Sequence, residues 1–120
     1  MLRLKISAGL GLVAVIGALG AASIAFAHPQ AATSTTIKVS ASEFKFKLST
    51  KTAKHGVTIF KVTNKGHIQH DFKIAGKKTS LLSPGKSTTL KVTLSKGNHK
   101  YICTVPGHAA AGMKGTFKST

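Results

Sequence analysis

From Thr36 onward, apolar side chains recur at every second position, and that spacing permits few folds. TIKVSA sets Ile37 and Val39 against Lys38 and Ser40. EFKFKL sets Phe44, Phe46 and Leu48 against Lys45 and Lys47. A strand turns successive side chains to opposite faces, so period two means one buried face and one wet face. The same pattern places His70, Phe72 and Ile74 together in HDFKIA, Leu90, Val92 and Leu94 together in KSTTLKVTLSK, and Tyr101 with Cys103 in NHKYICT. MKGTFKS closes the chain with Phe117 inward. GVTIFKVTN is less regular: Val57 and Ile59 share one parity, Phe60 and Val62 the other, which predicts a bulge or burial on both faces. Lys65-Gly66, Ala75-Gly76, Ser83-Pro84-Gly85 and Lys96-Gly97-Asn98 punctuate these runs as turns. Short strands rich in Val, Ile, Thr and Phe, with no amphipathic helix between them, predict an all-β antiparallel sandwich or barrel over residues 36–120.

The first 27 residues differ. Arg3 and Lys5 precede an apolar run from Leu10 to Ala27 that ends in Ala25-Phe26-Ala27. A basic start, an apolar stretch and an A-x-A ending describe a secretory signal, read here as residues 1–27. The run is nearly long enough to span a bilayer, so an uncleaved anchor is the alternative. The residue directly after it is His28 and not a cysteine, which excludes a lipoprotein anchor. Residues 28–35 read as a polar linker, and His28, followed by Pro29, reads as part of a tail. Both readings put the domain outside the cytoplasm, in a periplasm or at a cell surface.

Charge narrows the partners. The chain carries 18 Lys and Arg against 2 acids. Without Arg3 and Lys5, 16 lysines face Glu43 and Asp71, a net charge of about +14 (16 − 2). Nucleic acid is not expected, because no arginine remains for bidentate contacts and no aromatic face offers stacking. The lysines alternate with apolar residues as a solvated sheet face does. They suit acidic protein partners, and they or an uncleaved N-terminal segment would associate the domain with an anionic membrane surface.

One cysteine, Cys103, stands in CTVPGHAAAGMKG. A single thiol makes no internal disulfide, and an exported chain with an odd thiol needs a reason for it. It is an inert buried group, an intermolecular bridge or a ligand. Thiolate and thioether favour Cu(I), imidazole suits both Cu(I) and Cu(II), and a His₂Cys set with a weak axial Met holds both states. Cys103 ends one strand, His108 follows the Pro106-Gly107 turn, and Met113 opens the last strand. The missing imidazole has two candidates in GHIQH, His67 and His70, which face opposite sides of a strand. His70 shares the parity of Phe72 and Ile74 and is preferred. His55 and His99, among lysines and polar residues, read as surface.

From Thr36 to the C-terminus this arrangement resembles the cupredoxin family of small blue copper proteins. His70-Asp71-Phe72 resembles the family's first-ligand segment, and YICTVPGHAAAGMKGTF its ligand loop and final strand. The resemblance implies a Greek-key sandwich and one copper ion held by His70, Cys103, His108 and Met113. It also implies that Asp71 braces the Cys103 loop near Thr104. Cys103-TVPG-His108 has four intervening residues, as azurins do, and His108-AAAG-Met113 has four, as plastocyanins do, so the loop is a hybrid of the two.

The resulting expectation is a monomeric, non-enzymatic electron carrier, with acidic redox partners docking near His108. Copper storage or delivery is the alternative, although Met1 and Met113 are the only methionines, and a carrier meant to exchange copper would have more. A metal-free cationic sandwich is the third reading. Zinc could occupy the same ligands.

Overall fold

The computed structural model describes residues 33–120; the signal segment and most of the linker read from the sequence lie outside the described residues. Nine strands follow in order: β1 (Ser34–Ser42), β2 (Lys45–Leu48), β3 (Thr52–Ala53), β4 (Gly56–Asn64), β5 (Lys73–Ile74), β6 (Lys77–Lys78), β7 (Ser87–Leu94), β8 (Gly97–Ile102) and β9 (Lys114–Ser119). They form two sheets, ordered β2-β1-β4-β7 and β3-β9-β8-β5-β6.

The sandwich expected from the sequence is present, but its pairing is mixed. β1 runs parallel to β4 and β3 parallel to β9, while the other pairs are antiparallel. The cause is the path of the chain. β1 turns back into β2, the chain crosses to the other sheet as β3, and it returns on the far side of β1 as β4. An even number of reversals brings it back in the original direction.

Register decides which residues of β4 face inward. Ile37 pairs with Phe60 and Val39 with Val62, one residue against one, so no bulge interrupts the strand. The buried set is therefore Thr58, Phe60, Val62 and Asn64. Val57 and Ile59, expected inside, lie on the outer face and are half-buried. β1 starts at Ser34, within the stretch assigned to the linker, because backbone pairing with Val57 and Thr58 needs no apolar side chain.

Between the sheets, Ile37, Val39, Phe60, Val62, Val92 and Leu94 meet Phe72, Ile74, Tyr101 and Phe117. Phe60 lies against Phe72 and Phe117 with ring centroids 5.2 and 5.5 Å away. Each such side chain, once buried, stabilises the fold by about 1.5–3 kcal/mol. A smaller cluster of Ala41, Cys103 and Met113 continues the core toward one end of the sandwich. Phe46 packs against both clusters and sits edge-on to Phe72 and Tyr101. Phe44 departs from the alternation. It precedes β2, stands 41% exposed at this end, and meets the His108 ring edge-on at 5.0 Å instead of entering the core.

Candidate metal centre

Three segments deliver side chains to that end. The first follows β4. Asn64, buried at the strand end, donates through Nδ2 to the carbonyls of Ile68 (2.8 Å) and Leu82 (2.7 Å), and its Oδ1 accepts from the Gly66 N–H (2.8 Å). One amide thus ties the 65–68 turn to the segment before β7. His70 then pairs with Leu82: its N–H donates to the Leu82 carbonyl (3.2 Å) and its carbonyl accepts from the Leu82 N–H (2.8 Å). HDFKIA contributes this bridge and the short β5, and His70, Phe72 and Ile74 all point inward as their parity predicts.

The second segment is the Cys103 loop. The Cys103 N–H donates to the Met113 carbonyl (3.0 Å), which closes the loop at its base. Val105 accepts from the His108 N–H (3.0 Å) around Pro106-Gly107, and Gly107 has φ +84°. Proline then a positive-φ glycine is the type II turn, which a side chain at Gly107 would strain. The Met113 N–H reaches the His108 carbonyl (3.0 Å). Asp71 braces the loop as the resemblance implied: Oδ1 accepts from the Thr104 N–H at 2.6 Å and Oδ2 from the Thr104 hydroxyl.

The donor atoms converge. His70, Cys103 and His108 are all buried, and their ligating atoms lie within 4.8 Å of one another. His108 Nδ1 is 3.2 Å from His70 Nδ1 and 3.5 Å from Cys103 Sγ. Met113 is buried in the same cluster as Cys103. His67, the rival of His70, is exposed, and His55 and His99 stand away from the site with their rings on the Thr120 and Ser95 carbonyls. Burial pushes the Cys103 thiol above its usual range, so a metal that binds the thiolate must displace a proton.

Glu43, between β1 and β2, was not singled out by the sequence. Its Oε1 accepts from His70 Nε2–H at 2.8 Å, and the carboxylate also accepts from the backbone N–H groups of His67 (2.9 and 3.1 Å) and Ile68 (3.2 Å). His70 is the main reason its carboxyl is held down at about 2. No spacing signal announces it, since Glu43 and His70 meet across 27 residues.

One sulfur and two imidazole nitrogens, buried together beside a methionine at the end of a two-sheet sandwich, define the small blue copper proteins. This donor set fits one type 1 copper ion. Residues 22–119 match the family described as copper binding proteins, plastocyanin/azurin family, and the chain belongs to it. Among characterised relatives, it is 38% identical over 62 residues to chemocyanin of Lilium longiflorum, which covers 48% of this chain and 49% of chemocyanin. It is 46% identical over 43 residues to auracyanin-B of Chloroflexus aurantiacus, 35% of this chain and 18% of that protein. The chain thus spans about half the length of the first relative and less of the second. Among solved structures, auracyanin from the photosynthetic bacterium Roseiflexus castenholzii has the same fold (TM-score 0.59, 23% identity, 76% of this chain and 99% of that one). So has rusticyanin (TM-score 0.61, 20% identity, 76% of this chain and 82% of that one).

Proposed function

We propose that the protein is an exported one-electron carrier in which His70 Nδ1, Cys103 Sγ and His108 Nδ1 would hold one copper ion, with Met113 as a weaker fourth ligand. The ion supplies a Cu(II)/Cu(I) couple. The observation that carries this reading is the convergence of three buried soft and borderline donors within 4.8 Å. The protein's part is to keep that set fixed in both oxidation states. Asp71 on Thr104, the Pro106-Gly107 turn and the Asn64 ties hold the two donor segments in place.

The surroundings support electron exchange in preference to catalysis. All three donors are more than nine-tenths buried, so a substrate has little room to reach them, whereas an electron needs only a close approach. The exposed large apolar side chains of the described residues are Phe44 (41%), Ile68 (43%) and Leu81 (53%). Phe44 touches the His108 ring, Ile68 lies two residues before His70, and Leu81 adjoins the residue that pairs with His70. These exposed apolar side chains near the donors are where a redox partner would dock, with the lysines steering acidic partners toward them from a distance. The apolar run Leu10–Ala27 supports export, and the protein is read as a monomer.

Reversible voltammetry of the copper-loaded protein tests the carrier. A one-electron wave that survives repeated cycling is expected. Copper that is lost on reduction would instead point to storage or delivery.

A further inference from the structure

Glu43 is one of two acidic side chains in the chain and lies outside both donor segments, yet it is bonded to one of the donors. We propose that Glu43 is a positioning residue of the metal centre: it fixes the ring of His70 and places a formal negative charge directly behind it.

A neutral imidazole has one N–H and one lone pair. The bond from His70 Nε2–H to Glu43 puts the proton on the far nitrogen and leaves the lone pair on Nδ1, which faces His108 Nδ1 and the Cys103 side. Ligating histidines are held this way by an outer partner, and such ties orient the ring and raise its basicity. Glu43 is itself held. Its carboxylate accepts from the His67 and Ile68 N–H groups, in a turn that Asn64 secures. Gly66 makes room for it, because a Cβ there would collide with the Glu43 carboxylate. Asp71 does a different job: its carboxylate accepts from the Thr104 backbone N–H and hydroxyl.

The charge is also specific. Among the described residues, the Glu43 carboxylate lies against the rings of His67 (3.5 Å) and His70 (2.8 Å) and pairs with no lysine, although the chain is rich in lysine. A negative charge on the ring's far side favours the more positive oxidation state of whatever redox ion the ring holds. Positioning and charge can therefore be separated by substitution. Gln keeps an acceptor oxygen without the charge, and Leu keeps the approximate shape without either.

The first arm needs no metal. NMR correlation of the imidazole nitrogens in the apo protein should find His70 protonated at Nε2 in the wild type and in Glu43→Gln, and tautomerically mixed in Glu43→Leu. Gly66→Ala should behave like Glu43→Leu, because it displaces the carboxylate without removing it. Methyl and Tyr101 resonances report whether each variant keeps its core. If Glu43→Leu does not fold, Glu43→Gln and Gly66→Ala carry the comparison. The second arm rests on the ligand assignment above. Copper affinity should fall about 10–100-fold in Glu43→Leu. In Glu43→Gln the Cu(II):Cu(I) affinity ratio should fall about tenfold, a rise of about 59 mV for a one-electron couple. An Nδ1-protonated His70 in the wild type, or a Glu43→Leu protein with wild-type tautomer and affinity, overturns the positioning role. An unchanged potential in Glu43→Gln overturns the charge role. A wild-type protein that binds no copper would sink the ligand assignment but leave the apo arm to decide the proposal.

Discussion

The walls of the sandwich and the end that carries Cys103 use charge in opposite ways. On the outer face of the four-stranded sheet, Lys38, Lys47, Lys61 and Lys91 stand in water among serines and threonines. At the Cys103 end, both acidic side chains are committed: Glu43 to His70 and the 67–68 backbone, Asp71 to Thr104. Apolar groups are reversed too. The walls bury or half-bury theirs, while the end exposes Phe44, Ile68 and Leu81. On the proposed reading the walls would act at a distance, through a cationic field that falls off with salt, and the end would act in contact. Stability resides mainly in the first region and site geometry in the second.

Substitutions can break that division of labour. Phe60→Ala removes a ring packed against Phe72 and Phe117 and should cost about 3–5 kcal/mol of stability, read by urea unfolding. The copper spectrum of the fraction that remains folded should be unchanged; an altered spectrum would mean that the core and the site are not separable. Asp71→Ala should cost less, about 1.5–3 kcal/mol, for the lost charge-assisted bonds to Thr104. It should also shift the copper absorption or the potential, which the core substitution should not do.

A smaller effect is expected in alkali. Burial raises the pKa of Tyr101, so the folded state resists its ionisation. The unfolded chain loses that proton first. Stability from this group is then constant below pH 10, the ordinary tyrosine value, and falls as pH rises above it. Tyr101 is the only tyrosine, so its ultraviolet titration is unambiguous, and Tyr101→Phe should remove this part of the alkaline loss. Smallest of all, Lys61→Gln and Lys91→Gln on the wall should each change stability by no more than about 0.5 kcal/mol. They should slow association with an acidic partner at low salt and leave the potential alone. A change in potential would contradict the separation of wall from end.

What the sequence disclosed follows the same division. Alternation is a wall property, so β1, β7, β8 and β9 were legible from their apolar spacing. The parallel pairing of β1 with β4 was not, because spacing shows which face is buried but not which way a neighbour runs. In β4 both parities carry apolar residues, and only the register against Ile37 and Val39 selects Phe60 and Val62. At the end, the burial of His70 and not His67 was legible from the parity it shares with Phe72, and the spacing in CTVPGHAAAGMKG set Cys103, His108 and Met113 together as candidate donors. Phe44 was misplaced because the apparent alternation in EFKFKL continues through a turn that has no Gly or Pro to mark it. Glu43 and Asn64 were missed because their roles are contacts made across the fold, Glu43 to His70 and Asn64 to Leu82, which no local pattern encodes.

The central claim, that Cys103 is a copper thiolate in a set with His70 and His108, is tested most directly by adding Cu(II) to the purified protein and recording its visible spectrum. An intense blue thiolate-to-copper band, saturating at one ion per chain and absent from Cys103→Ser, is the predicted result. Saturated copper binding without that band, or a band that persists in Cys103→Ser, would contradict the account.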